Sequence, residues 1–214
     1  MRKLIFIVAS FILLAFYGCT KMEGDPVTKE FSINGSYTEL QVEDAFDVTV
    51  SDEVSQITVT AGENVMPKIV VEKSGCKLII RVKPVVNIYG TVKVLLPYSP
   101  DLTTVDLSGA SNFNTGFALK GEKVEVSLSG ASNFFGDVEA DEAEIDLSGA
   151  SDAAIQGKVG KLTIDLSGSS DAYVHCDGSI KVSVSGSSKL HYTGNASTTD
   201  CSTSGSSGIV HDVF

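Results

Sequence analysis

Three sets of residues in this chain have types and spacings that could do chemistry. Serine precedes glycine in six copies of Ser-Gly-(Ala/Ser)-Ser, starting at Ser108, Ser129, Ser148, Ser167, Ser185 and Ser204. A serine becomes a nucleophile when a base lies within hydrogen-bond reach and a third group orients that base. The chain has three histidines, His175, His191 and His211, in different registers of the repeat. Six equivalent serines without a repeated base argue against catalysis and for hydroxyls that bond from copy to copy and satisfy turn amides. The second set is acidic: Asp106, Asp146 and Asp165 stand three residues before a repeat glycine, and Asp152 and Asp171 three after one. Such a column could hold calcium, but calcium-binding nonapeptide turns use Gly-Gly-x-Gly-x-Asp, and these copies carry one glycine each. It reads as solvated surface.

The third set is aromatic. Phe135, Tyr173 and His191 stand five residues after a glycine, with Phe113, Phe134 and Tyr192 at adjacent positions. Tyr173 and His191 are the candidate interaction surface, for a glycan or a protein ligand. The alternative is that half the strip is core on a second face, and the lack of tryptophan weakens the glycan version. No CxxC or Cys/His cluster suggests zinc, and no cofactor is implied.

The elements that must position these residues follow from the same repeat. The glycines are spaced by 21, 19, 19, 18 and 19 residues. A fixed period near twenty marks a solenoid whose units bury a core only by stacking. Two residues before the glycines stand Leu107, Leu128, Leu147, Leu166, Val184 and Thr203, and four before stand Val105, Val126, Ile145, Ile164, Val182 and Cys201. The residues between are polar, which is the period of two of a strand with one buried face. A leucine-rich repeat would need Asn or Cys where Ala110 and Ala131 stand, and a helical repeat would need runs of period 3.6. The sequence therefore predicts an all-β chain: a right-handed parallel β-helix of about 19-residue turns over 101–214, behind a β-rich N-terminal cap. Rungs should stack at about 4.8 Å.

The cap is predicted over 31–100, from short β-rich segments separated by Asn34-Gly35, Ala61-Gly62 and Ser74-Gly75. It could be a small antiparallel sheet or irregular early rungs. Cys201 falls in an inward column and Cys176 about two rungs away, so Cys76, Cys176 and Cys201 are expected as buried or half-buried thiols.

Ahead of the fold, Arg2 and Lys3 precede an apolar run from Leu4 to Phe16, too short to favour a transmembrane helix, and Gly18-Cys19 follows. This is an export signal over 1–18. Cys19 resembles the acylated cysteine of the bacterial lipoprotein lipobox, which implies a lipid anchor there, although Phe16 and Tyr17 depart from the usual Leu and small residue. Ordinary secretory cleavage is the alternative. Residues 19–30 read as a tether. The chain carries a formal charge of −11, and the signal contributes two of its positive charges, so nucleic acid is excluded as a partner for want of a basic patch.

The segments Ala45-Phe46-Asp47-Val48, Leu78-Ile79-Ile80 and Val92-Lys93-Val94-Leu95-Leu96-Pro97, followed by iterated Leu-Ser-Gly-Ala-Ser-Asn or Leu-Ser-Gly-Ser-Ser-Asp, carry a specific likeness. Over roughly residues 38–205 the chain resembles the autotransporter-adhesin head (GIN) domain family. The resemblance implies a β-helical envelope lipoprotein of a Gram-negative bacterium, at the outer membrane and facing the periplasm or the surface. It brings no catalytic residues. The functional expectation is a non-enzymatic, lipid-anchored adhesin-like or structural module. The competing reading is a carbohydrate-active β-helix lyase or hydrolase, disfavoured because turns varying by three residues leave little loop for a cleft.

Overall fold

The computed structural model describes residues 19–21, 25–83 and 87–212. The export signal lies outside the described residues. In chain order the strands are β1 (Cys19–Lys21), β2 (Pro26–Phe31), β3 (Glu39–Val42), β4 (Phe46–Ser51), β5 (Ile57–Gly62), β6 (Ile69–Ser74), β7 (Lys77–Val82), β8 (Asn87–Tyr89), β9 (Val92–Pro97) and β10 (Thr104–Leu107). They continue as β11 (Asn112–Asn114), β12 (Leu119–Leu128), β13 (Asn133–Leu147), β14 (Asp152–Leu166), β15 (Asp171–His175), β16 (Ser179–Val184), β17 (Lys189–Thr193), β18 (Ser197–Thr203) and β19 (Gly208–His211). One 3-10 turn, Met66–Lys68, interrupts them.

The repeat forms a β-solenoid with parallel rungs in register, with one shift between Ile180 and Lys181 where β16 meets β18. On its first side Leu107 pairs with Leu128, Leu128 with Leu147, Leu147 with Leu166 and Leu166 with Val184. All five are buried, as is the companion column Val105, Val126, Ile145, Ile164 and Val182. Apolar burial at about 25 cal/mol per Å² is what makes stacking favourable, since a lone rung would leave this face wet. The second side runs through β11, the start of β13 and β14, then β15, β17 and β19. Its inward residues include Phe113, Phe134, Ala153, Ala172 and Leu190.

Rung corners depend on one backbone conformation. Gly149 has φ +82°, and a Cβ there would lie 2.4 Å from the carbonyl oxygen of Gly130 on the preceding rung. A side chain is excluded on both counts, because the left-handed region disfavours it and the neighbouring rung occupies its space.

The N-terminal region is both of the things the sequence left open. Strand β3 pairs in parallel with β10, and β4 with β11, so residues 39–51 supply the first and second sides of a rung directly against the first repeat copy. On the far side of that rung lie β7 and β9, again parallel. The chain thus builds its second rung first, passes outward to build the end rung, and then returns to continue the solenoid. The outer edges of the end rung are covered by antiparallel strands, β6 on β7 and β5 on β9, with β2 on β5. Covering those edges removes a template for aggregation.

Two expectations need correction. The stretch read as a tether contains β2, whose residues Pro26–Phe31 pair with Ile57–Gly62. Thr28, Thr58 and Thr60 suit a strand, and pairing across the cap outweighs the lack of an apolar period. The thiols also differ: Cys176 is buried, but Cys76 and Cys201 are exposed, and all three are free. Cys201 does stand in register with Val182. Among the described residues, however, no further strand pairs on β18, whose seven residues are all exposed. The inward column runs out into solvent at the last rung. Cys76 sits in the turn between β6 and β7, outside the columns.

Candidate interaction surface

Each repeat contributes two kinds of serine. Ser111, Ser132, Ser151, Ser170 and Ser188 are fully buried at the corner after the glycine. The amide N–H of Ser132 donates to Ser151 Oγ at 3.4 Å, and that hydroxyl donates to the Ser148 carbonyl at 2.9 Å. The pattern recurs from Ser111 to Ser188 and closes the corner amides. These hydroxyls are the predicted ladder. They are enclosed and committed, so they cannot attack a substrate.

The serines before the glycines line a shallow trough of about 310 Å³ on the first side with Asp106, Asp146 and Asp165. Desolvation against the trough wall, then the charges of Asp165, Glu144 and Glu125, push the Asp146 carboxyl above its ordinary value of 3.8. Desolvation raises Asp106 too, with Lys77 opposing and Glu43 adding to the shift. The acidic column is a surface at a cost, as like charges on adjacent rungs imply. Among the described residues no group of three His, Cys, Asp or Glu is arranged to hold a metal ion.

A third side, with the corner beyond it, is laced by ion pairs between rungs: Lys120 with Glu139 at 2.7 Å, Lys123 with Glu144 at 2.8 Å and Lys161 with Glu142 at 3.1 Å. Such exposed pairs contribute little to stability, but they leave this side polar and self-satisfied.

The second side is different. Its outward column runs Leu95, Thr49, Asn114, Phe135, Ala154, Tyr173, His191, Val210, each residue in register with the next. Of the five exposed large hydrophobic residues described, Leu95, Phe135, Tyr173 and Val210 lie in this column, and Tyr98 does not. Tyr173 is 51% exposed and Phe135 45%. The Tyr173 and His191 rings stack at 4.8 Å between centroids and 14° between planes. That separation is the rung spacing, so register alone brings the two rings together. His191 Nδ1 lies 3.2 Å from Asp212 Oδ2, which fixes the imidazole from the last rung.

The structure thereby divides the aromatic strip. Phe113 and Phe134 are core and stack on each other at 5.4 Å, and Tyr192 is half-buried against His211. Phe135 and Tyr173 point out. Alternation along the strand decides it: Phe134 and Phe135 are adjacent in sequence, so they face opposite ways.

One arrangement at the C-terminal end was not legible in the sequence. His175 Nδ1 lies 2.9 Å from Thr193 Oγ1, and His175 Nε2 lies 3.4 Å from Asp177 Oδ2. Parallel register supplies it, since β15 and β17 pair His175 with Thr193. These are the members of a hydroxyl–base–carboxylate set. The Asn195 amide donates to Asp177 at 3.0 Å, which with desolvation opposing and His175 assisting holds that carboxyl below its ordinary value. The neighbouring Gly194 carbonyl accepts from His211 Nε2 at 2.9 Å.

The repeat builds a scaffold with flat sides, one of which bears the exposed apolar stripe. The chain belongs to the family described as "putative auto-transporter adhesin, head GIN domain", whose model matches residues 36–172 and 158–196. Similar solved structures include a "putative adhesin" from Parabacteroides merdae, at 20% identity and TM-score 0.55, covering 91% of this chain and 99% of that one. A "putative adhesin" from Bacteroides fragilis has 14% identity and TM-score 0.65, with 90% and 99% covered. A "putative lipid binding protein" from Parabacteroides distasonis has 19% identity and TM-score 0.60, with 90% and 100% covered. At these identities the likeness is one of fold. No curated protein matches the sequence.

Proposed function

We propose that this protein is a non-enzymatic, lipid-anchored adhesin-like module of the cell envelope, which contacts its ligand through the outward column centred on Tyr173 and His191. The observation that carries the reading is the gathering of four exposed large apolar residues into one column of a rigid side. Aromatic groups already fixed by stacking bind at little entropic cost. The adhesin family and its structural neighbours support an envelope or surface association. Among the described residues no helix is long and apolar enough to cross a membrane.

Lipid on Cys19 would tie the cap end to the bilayer, because β1 pairs with β8, just before the end-rung strand β9. From β9 to β15 along the second side is five rung steps, about 24 Å at the spacing of adjacent strands. Tyr173 would then stand clear of the membrane surface. The test is adhesion of protein-coated beads to cells, compared between wild type and Tyr173→Ala, with thermal melts as the control on folding.

The competing reading, a carbohydrate-active enzyme, has the Thr193, His175 and Asp177 contacts in its favour. Turnover of a polysaccharide that is lost in Thr193→Val and in His175→Gln would establish it.

A further inference from the structure

We infer that the notch over Ala154, between Phe135 and Tyr173, receives one ring of a neutral glycan. The inference rests on the contact-face reading above and names the ligand that face takes. Three residues of the outward column carry aromatic rings, Phe135, Tyr173 and His191, and Ala154 breaks their sequence. Tyr173 and His191 stack nearly parallel at the rung spacing. One face of the Tyr173 ring is thus covered by His191, and the other looks along the solenoid toward the space above Ala154. Phe135 lies two rungs from Tyr173, about 10 Å away by strand spacing. A single ring placed over Ala154 would continue the column at its own spacing.

The groups around the notch decide what kind of ring. Along β14 the outward neighbours of Ala154 are Asp152 and Gln156, and along β15 those of Tyr173 are Asp171 and His175. An open groove of about 570 Å³ continues past Gln156, His175 and Thr193. Carboxylates, an amide and an imidazole flanking an aromatic face match a pyranose, whose C–H face stacks while its edge hydroxyls hydrogen-bond. An aromatic side chain from a protein partner would fit the notch by thickness. It would also bring a hydrocarbon edge against these polar groups and strip their water without replacing it. Asp152 and Asp171 flank the notch and Asp212 lines the groove, with Lys189 in register beside Asp171, so the local balance stays negative and uronate or sialate sugars would meet net repulsion.

Full-length protein in detergent is titrated with mannohexaose, cellohexaose, maltohexaose, a hexauronate and a Phe/Trp-containing peptide library, and the bead assay is run in parallel. We expect a neutral hexaose to bind, with affinity falling at least tenfold in Tyr173→Ala and in Ala154→Leu, which fills the notch from an outward position. Melting curves of both variants should match wild type. Binding only by the hexauronate or the peptides would overturn the ligand class. So would the absence of neutral-glycan binding while Tyr173→Ala still abolishes bead adhesion, an outcome that leaves the contact face standing. Bead adhesion unaffected by Tyr173→Ala would remove the contact-face reading itself.

Discussion

Asp44 occupies, at φ +80°, the backbone position that Gly109 takes one rung later, and its carbonyl oxygen lies 2.2 Å from where a Cβ on Gly109 would sit. Val42 pairs with Leu107, so Glu43-Asp44-Ala45-Phe46 is the structural counterpart of Ser108-Gly109-Ala110-Ser111. The Asp44 carboxylate offsets part of the strain there: Oδ2 accepts the Val82 amide at 2.8 Å. At the other end of the column Gly205 continues the same conformation.

Gly149→Ala should therefore be among the most damaging single changes in the solenoid. It combines left-handed strain of about 1–2 kcal/mol with a backbone clash that a flexible side chain cannot relieve. Asp44→Ala keeps the strain and orphans the Val82 amide, for about 1–3 kcal/mol, whereas Asp44→Gly relieves the strain and should cost less than Asp44→Ala. Denaturant melts of the three variants check the order.

Leu147 continues the inward column and is 2% exposed, while Asp146 beside it faces out. Leu147→Ala should cost about 2–5 kcal/mol as a cavity and Asp146→Ala no more than about 0.5 kcal/mol. Equal effects would mean the two columns are misassigned.

The alternation that separates these two residues was readable from the repeat, and so were the period, the corner glycines and the serine ladder. The rung at 39–51 was not, because Glu43-Asp44-Ala45-Phe46 keeps the corner's geometry while replacing its residue types. Nor was the order of the first rungs, since rung 77–97 stacks outside rung 39–51 through pairings that leave no trace in spacing. The candidate site was half legible. Five-after-glycine spacing found Phe135, Tyr173 and His191, but Leu95 joins their column only through the out-of-order rung, and Asp212 reaches His191 only from the last one.

The raised Asp146 carboxyl makes stability depend on pH in a definite direction. A carboxyl whose folded pKa lies above its unfolded value binds its proton more readily in the folded state, so stability falls as pH rises from 3.8 through the folded value. Asp146→Asn removes this penalty. It should raise the melting temperature at pH 7 relative to wild type, and the advantage should shrink as pH is lowered through the folded value toward 3.8. A constant difference across that range would contradict the assignment.

Cys19→Ala should move the protein from the membrane pellet to the soluble fraction and abolish incorporation of labelled fatty acid. Persistence in the pellet, together with an unlabelled wild type, would count against a lipid anchor.

The central claim is that the second side is the contact face, and the double variant Tyr173→Ala/His191→Ala measures it most directly. Both side chains are at least partly exposed on the outward column, so the melting profile should stay that of wild type. Adhesion of coated beads should fall at least fivefold, while Lys120→Ala/Lys161→Ala on the ion-paired side should leave it unchanged. Wild-type adhesion by the aromatic variant, or a loss confined to the lysine variant, would contradict the account.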